Sequence, residues 1–112
     1  MLNGIANNLE RYMDLLSVRQ KQVASNIANA DTPGYKTRDV DFQFEFMSLA
    51  KGERPAVSEV QGLEARNDGN NVSIDRESRL LAENALRFSL ASSLARTEIK
   101  LVRNAIQEGR NG

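Results

Sequence analysis

Residues 25–36 read Ser25-Asn26-Ile27-Ala28-Asn29-Ala30-Asp31-Thr32-Pro33-Gly34-Tyr35-Lys36, and this stretch decides where the chain turns. Pro33 disfavours the α region for Thr32, and Gly34 can take the positive φ that a type II turn requires at its third position. A helix entering from the N-terminal side therefore ends near Ala30. Upstream, Leu2, Leu9, Leu16, Val23 and Ala30 recur every seven residues, Ala6, Met13, Gln20 and Ile27 follow four later, and Ile5 and Tyr12 widen the stripe. The spacing predicts one amphipathic helix over 1–31. Arg19 and Asn26 continue the row of Ile5 and Tyr12 with polar groups. In a packed seam they would favour one register, and on a free face they would point to solvent; the sequence admits both.

After the turn, Val40-Asp41-Phe42-Gln43-Phe44-Glu45-Phe46 alternates with period two, which places Val40 and three of the four phenylalanines on one face of an extended arm. A short helix running on through Met47, Leu49 and Ala50 is the other reading, since a lone strand is marginal in water. From Lys51 to Val72, Gly52, Pro55, Gly62 and Asn67-Asp68-Gly69-Asn70-Asn71 describe a polar connector with turns. The range 32–72 is thus turn, arm and connector. Helical periodicity returns over 73–112: Ile74, Leu81, Phe88, Ala95 and Val102 form one heptad row, Ala85, Ser92, Ile99 and Ile106 another, and Leu80, Leu94 and Leu101 flank them. Ser73 or Asp75 can cap its start and Gly109 can close its end.

The expected fold is mainly α: two long amphipathic end helices, ~40 Å and ~50 Å at the usual rise per residue, packed as a coiled-coil-like pair and joined by an irregular or extended connector. One seam per helix gives a thin core. The apolar arc of the second helix is also broader than a single neighbour can cover, so further helices should cover Leu80, Leu94 and Leu101 on one edge and Ile99 and Ile106 on the other.

Composition narrows the chemistry. The 112 residues contain no Cys and no His, which removes Cys/His zinc sites, thiol nucleophiles and Ser-His-Asp relays. Lys plus Arg and Asp plus Glu balance at 15 each. The cations Arg19, Lys21, Arg76, Arg79, Arg87, Arg96, Lys100 and Arg103 are interleaved with Glu and Gln, so no nucleic-acid face is expected. No apolar run is long enough to span a bilayer, and no basic-then-apolar leader opens the sequence, so neither membrane insertion nor a cleaved signal is expected. Ser48-Leu49-Ala50-Lys51 matches S-x-x-K, but without its companion motifs and in a chain too short to build that site. A calcium loop centred on Gly69 would put Arg66 where an oxygen ligand belongs. Asp39, Asp41 and Glu45 fall on the polar side of the proposed arm, where solvent accounts for them. No catalytic residue, cofactor site or metal site is expected.

The twelve residues Ser25 to Lys36 resemble the N-terminal signature of the bacterial flagellar axial proteins, the family of rod and hook subunits. Arg38-Asp39-Val40-Asp41-Phe42, Asp68-Gly69-Asn70-Asn71-Val72 and the ending Val102 to Arg110 are similar to the small rod members. Longer members carry Gln-Arg-x-Tyr-x-x-Asn in the last helix, and Leu86-Arg87-Phe88-Ser89-Leu90 does not match it. The short middle region and the phenylalanine alternation depart from the family pattern. The resemblance implies a non-enzymatic structural subunit of the proximal rod of the flagellar basal body, delivered by type III export without cleavage, which connects the membrane ring to the rest of the rod and transmits torque. Its implied partners are copies of itself, other rod subunits, a rod-to-ring adaptor, the membrane ring and the export gate. Its implied location is the basal body, from the membrane ring into the periplasm. A small helical adaptor or secretion-regulating binding module is the alternative. The residues expected to carry assembly are Asn26, Asn29, Thr32, Pro33, Gly34 and Tyr35 at the turn, and Leu9, Met13, Leu16, Val23, Ile27, Leu81, Phe88, Leu94, Ile99, Val102 and Ile106 in the helix seams. Asn26 and Asn29 lie on adjacent turns, where they can hydrogen-bond the reversing chain.

Leu16→Asp should block incorporation into an assembled rod, because a seam carboxylate carries an uncompensated desolvation cost of roughly several kcal/mol. The measurement is the amount of chain recovered in isolated basal bodies; recovery at the wild-type level would contradict the expectation.

Overall fold

The structure, a computed structural model, describes residues 2–111; Met1 and Gly112 lie outside it, as do the side chains of Leu2, Asn3, Ile5, Ala50 and Asn111, so the expected contributions of Leu2, Ile5 and Ala50 fall outside the described residues. Two helices dominate. Helix α1 (Leu2–Ala28, 27 residues) and helix α3 (Ile74–Asn111, 38 residues) run antiparallel, ~40 Å and ~57 Å long. Their pairing is fixed by polar groups as well as apolar ones: Asn84 Nδ2 donates to the Leu16 carbonyl (2.9 Å) and to Gln20 Oε1 (3.0 Å).

Helix α1 stops two residues before Ala30. The Ser73 hydroxyl caps α3 by accepting from the Arg76 amide (3.2 Å), and Asp75 and Glu77 place negative charge in the first turn, where the helix dipole favours it. Gly109 does not close α3, which continues to Asn111. A glycine inside a helix costs only about 1 kcal/mol.

The buried apolar residues are few: Leu15, Leu16 and Val23 from α1, Leu80 and Ala91 from α3, Val40 and Val72 from the connector. The molecule measures 71 × 25 × 16 Å with a radius of gyration of 18.5 Å, where a compact chain of this length would have about 13 Å. Its accessible surface is 7994 Å², against roughly 6,200 Å² for a compact monomer of the same mass. This is a fold with much of its apolar surface still open.

The connector packs along α1. Strand β1 (Arg38–Val40) pairs antiparallel with β2 (Val57–Glu59), with Arg38 opposite Glu59 and Val40 opposite Val57. The extended reading of the phenylalanine alternation holds only as far as Val40. Residues Phe42–Met47 form a helix, α2, started by Asp41, whose carboxylate accepts from the Phe44 amide at 3.2 Å. The physical reason is which residues can reach a partner. On a strand all three rings would share a face, whereas helical spacing puts Phe42 and Phe46 together, their centroids 6.2 Å apart, and both meet the edge of Tyr12 at 6.2 and 5.6 Å. The guanidinium groups of Arg19 and Arg87 lie 5.0 and 4.8 Å from the Phe42 ring centre. Phe44 is left outside, exposed. A 3₁₀ turn, Leu49–Lys51, follows; Arg11 Nη1 holds its Leu49 carbonyl at 2.9 Å.

Phe42→Ala should therefore lower stability by about 2 kcal/mol, because it removes the ring that joins α2 to α1 and α3, whereas Phe44→Ala should change it by less than about 0.5 kcal/mol. Thermal unfolding followed by circular dichroism distinguishes them; equal melting temperatures would refute the helical register of α2.

Candidate assembly site

Where α1 reverses, an asparagine replaces the missing core. Asn26 is fully buried and its carboxamide is saturated. Nδ2 donates to the Arg38 carbonyl (2.8 Å) and to Glu77 Oε1 (3.1 Å), while Oδ1 accepts from the Tyr35 hydroxyl (2.9 Å) and the Arg38 amide (3.1 Å). One side chain on α1 thus holds the turn, β1 and α3 at once. The Tyr35 hydroxyl also lies 3.2 Å from Ser25 Oγ. Asn29 serves its own helix end: its Nδ2 donates to the Ser25 carbonyl (2.8 Å) and its Oδ1 accepts from the Thr32 hydroxyl (3.0 Å).

The turn itself is type II, closed by the Tyr35 amide on the Thr32 carbonyl (3.2 Å), with Gly34 at φ +76°. A second turn from the connector lies against it. Gly69, at φ +87°, passes so close that a Cβ there would sit 3.3 Å from Gly34 Cα, and the Gly34 amide donates to the Asp68 carbonyl at 2.8 Å. Asn70, fully buried, binds the two together: Nδ2 donates to the carbonyls of Asn29 and Thr32 (both 2.8 Å), and Oδ1 accepts from Arg66 Nη2 (2.8 Å) and the Val72 amide (2.9 Å). Arg66 also donates to the Ala30 and Val72 carbonyls, which ties the chain just past the end of α1 to the segment leading into α3. The same arginine excludes the calcium loop and builds the turn.

Beside Asn26 runs a buried ionic chain. Asp39 accepts from Arg19 (3.1 Å) and Arg76 (2.8 Å), and Arg76 reaches Glu77 Oε1 at 2.7 Å. Glu77 is fully buried and Asp39 is 5% exposed. This corrects the solvated face expected for Asp39, which lies at the centre of the chain linking α1, β1 and α3. Further up, Arg87 contacts the Tyr12 hydroxyl (3.4 Å) and Glu83 (2.9 Å). The hydrogen bond to Tyr12 and, after it, that to Glu83 hold Arg87 above its ordinary pKa against the opposing effect of burial.

The expected turn residues converge here: Asn26, Asn29, Thr32, Gly34 and Tyr35 share one network, and Pro33 sits exposed at its outer edge. The expected seam residues divide. Leu16 and Val23 are buried within the chain, and Leu9, Met13 and Val102 are partly covered. Ile27, Leu81, Phe88, Leu94, Ile99 and Ile106 are between 37% and 56% exposed. Within the chain, α3 meets α1 instead along Glu77, Leu80, Asn84 and Ala91, a stripe that an apolar pattern does not reveal because two of its four members are polar. On a helical wheel two open rows flank that stripe: Leu81, Phe88, Ile99 and Ile106 on one side, and Leu86, Leu90, Leu94 and Leu101, about 165° round the helix from them, on the other. Each row borders a groove. The first is floored by Ala6, Leu9, Met13, Phe88 and Ile99; the second lies between Tyr12, Phe46 and Leu49 and the pair Leu90 and Leu94. Asn70, Arg66, Glu77 and Asn84 were the residues that sequence reasoning missed, and the turn composition around Asp68-Gly69 was the one signal near them. No helix among the described residues is long and apolar enough to cross a membrane.

The sequence pattern of the family described as flagella basal body rod protein matches residues 13–36, the second half of α1 and the whole type II turn. Over nearly the full length, the chain is similar to the flagellar basal body rod proteins FlgB of Escherichia coli K12 (34% identical, covering 89% of this chain and 91% of that one), Borrelia hermsii (32%, 87% and 91%) and Salmonella typhimurium (30%, 89% and 91%). The first of these alignments runs over 125 positions while this chain has 112 residues, so that relative carries residues this chain lacks.

Two outcomes test the turn. Asn26→Ala removes one hydrogen bond each from the Tyr35 hydroxyl, the Arg38 amide, the Arg38 carbonyl and Glu77, of which Tyr35 keeps Ser25 and Glu77 keeps Arg76, and should cost about 2–4 kcal/mol. Gly34→Ala carries only the backbone strain of a positive φ, since nothing lies within 4 Å of its Cβ position, whereas Gly69→Ala adds a tight 3.3 Å contact with the Gly34 backbone and should cost more. Chemical denaturation measures all three; equal losses at Gly34 and Gly69 would contradict the contact between the two turns.

Proposed function

The chain belongs to the FlgB family of flagellar basal body rod proteins, and we propose from that premise that it is a subunit of the proximal rod, joining the membrane ring to the rest of the rod. The observation that carries this reading is the pair of open apolar rows on α3, which no segment of the chain covers among the described residues. A helical pair of this kind is completed by neighbours, and each neighbour buries what the monomer leaves wet. In this reading the helical ranges 1–31 and 73–112 form the rod core, and 32–72 supplies the turn and the connector. Work is done by packing and no bond is made or broken, so torque would pass through the seams that Leu9, Leu81, Phe88, Leu94, Ile99, Val102 and Ile106 make with other subunits. Copies of this chain, other rod subunits, a rod-to-ring adaptor, the membrane ring and the export gate are the neighbours proposed, with the rod extending into the periplasm.

Deleting the gene in its motile host should leave cells without hooks or filaments in electron micrographs, and expression of the wild-type chain should restore both. A deletion strain that builds complete filaments on an altered schedule would contradict the structural reading and indicate a regulator.

A further inference from the structure

The contact between the two turns brings a chemically reactive pair of residues with it. Gly69 sits at positive φ and so close to the Gly34 backbone that position 69 favours glycine on both counts. Asp68 starts the bend: its Oδ1 accepts from the Asn70 amide at 2.9 Å, an Asx turn that sets the buried Asn70 in place. Asp followed by Gly is also the pairing in which a backbone nitrogen reaches the preceding carboxyl group most freely, because glycine has no side chain to hinder the approach. The Gly69 nitrogen attacks Asp68 Cγ, its proton leaves with the carboxyl OH as water, and a five-membered succinimide closes. Water then reopens the ring. Where it cleaves the bond from nitrogen to the original main-chain carbon, the product is isoaspartate. The backbone now runs through Cβ and Cγ, one carbon longer, and the former main-chain carbonyl is a free carboxylate. The reaction consumes no oxidant and no cofactor.

Burial does not protect this site, since Asp68 is exposed. Conformation does. Ring closure needs the Asp68 side chain to swing onto the Gly69 nitrogen, and the peptide joining the two residues to rotate and lose its planarity. The groups that would have to move are tied. The Gly69 amide donates to the Arg66 carbonyl (2.8 Å), the Asp68 carbonyl accepts from the Gly34 amide (2.8 Å), the Gly69 carbonyl accepts from Lys36 Nζ, and Asp68 Oδ1 is engaged by the Asn70 amide. Two of these four ties come from Gly34 and Lys36 on the facing turn. We infer that Asp68–Gly69 is a site of spontaneous isoaspartate formation, latent in the folded chain and opened when the two turns part. The change would then prevent its own reversal. With a longer backbone, and a carboxylate where the carbonyl met the Gly34 amide, the turns no longer fit together. This modification lies beyond the rod reading and does not depend on it.

The test is to hold the purified full chain at neutral pH and physiological temperature for weeks, in native buffer and in denaturant, and then digest it with trypsin. Cleavage after Arg66 and Arg76 releases the peptide 67–76. Its isoaspartate is read by labelling with an isoaspartyl methyltransferase and assigned to Asp68 by fragmentation. Isomerisation leaves the peptide mass unchanged, which separates it from deamidation of Asn67, Asn70 or Asn71. Isoaspartate at position 68 is expected to accumulate in denaturant, and about tenfold or more slowly in native buffer, because only the opened fraction reacts. Asn70→Ala removes the ties to the Asn29 and Thr32 carbonyls and should raise the native-buffer rate severalfold, with helix content by circular dichroism retained. Should that variant unfold, Lys36→Met loosens only the Gly69 carbonyl and should raise the rate in the same direction. Equal rates for the wild-type chain in the two buffers would overturn the inference. So would a denatured chain that forms no isoaspartate at Asp68, or a folded variant whose rate does not rise.

Discussion

The Asn26 carboxamide is the point on which the rest of the molecule depends. A primary amide has two donors and an acceptor with two lone pairs, and here all are used, within 2.8 to 3.1 Å, on groups from three separate segments. A hydrophobic residue could fill the same space. It could not fix both the direction in which the chain leaves α1 and the height at which α3 returns, because dispersion has no direction and hydrogen bonds do. Residue for residue, this is a small core whose precision comes from polar groups.

The buried charges beside it follow the same logic. Asp39, Arg19, Arg76 and Glu77 are taken out of water at a cost that their mutual attraction offsets only with good geometry, and Glu77 Oε2 has no protein partner among the described residues. Such a chain adds little net stability compared with apolar packing. Its effect is selective: sliding α3 by one turn would break the Arg76–Asp39 pair and the Asn26–Glu77 hydrogen bond, which disfavours other registers of the helix pair. The molecule is therefore graded along its length. The turn end is sealed by hydrogen bonds and ion pairs, while from Phe88 onward α3 offers apolar rows and unpaired cations to its surroundings. One end sets the geometry and the other leaves room for neighbours.

How much of this could be read from the sequence follows from the range of the forces involved. The two long helices and the glycine turn rest on local rules, namely heptad spacing, the proline restriction on Thr32 and the positive φ of Gly34, and all three are legible. The breadth of the apolar arc on α3 was legible too, and it implied that one neighbour was not enough. Phe42 to Phe46 misled because period two and a single helical turn differ by only a few residues, and the choice was made by Tyr12, thirty residues away in sequence. Asp39, Glu77 and Asn84 were hidden for a related reason: a polar residue on a helix reads as solvated until its buried partner is known. Asn70 and Arg66 lie in a turn whose residues predict the bend but not what the bend encloses.

The most direct measurement is an electron cryomicroscopy density map of the assembled rod at side-chain resolution. The helix pair should enter the rod with its Asn26 and Asp39 contacts intact, and both open rows of α3, through Phe88 and Ile106 on one side and Leu90 and Leu94 on the other, should be covered by neighbouring subunits. A rod in which those rows face solvent, or in which α1 and α3 have separated to pair with other chains, would contradict this.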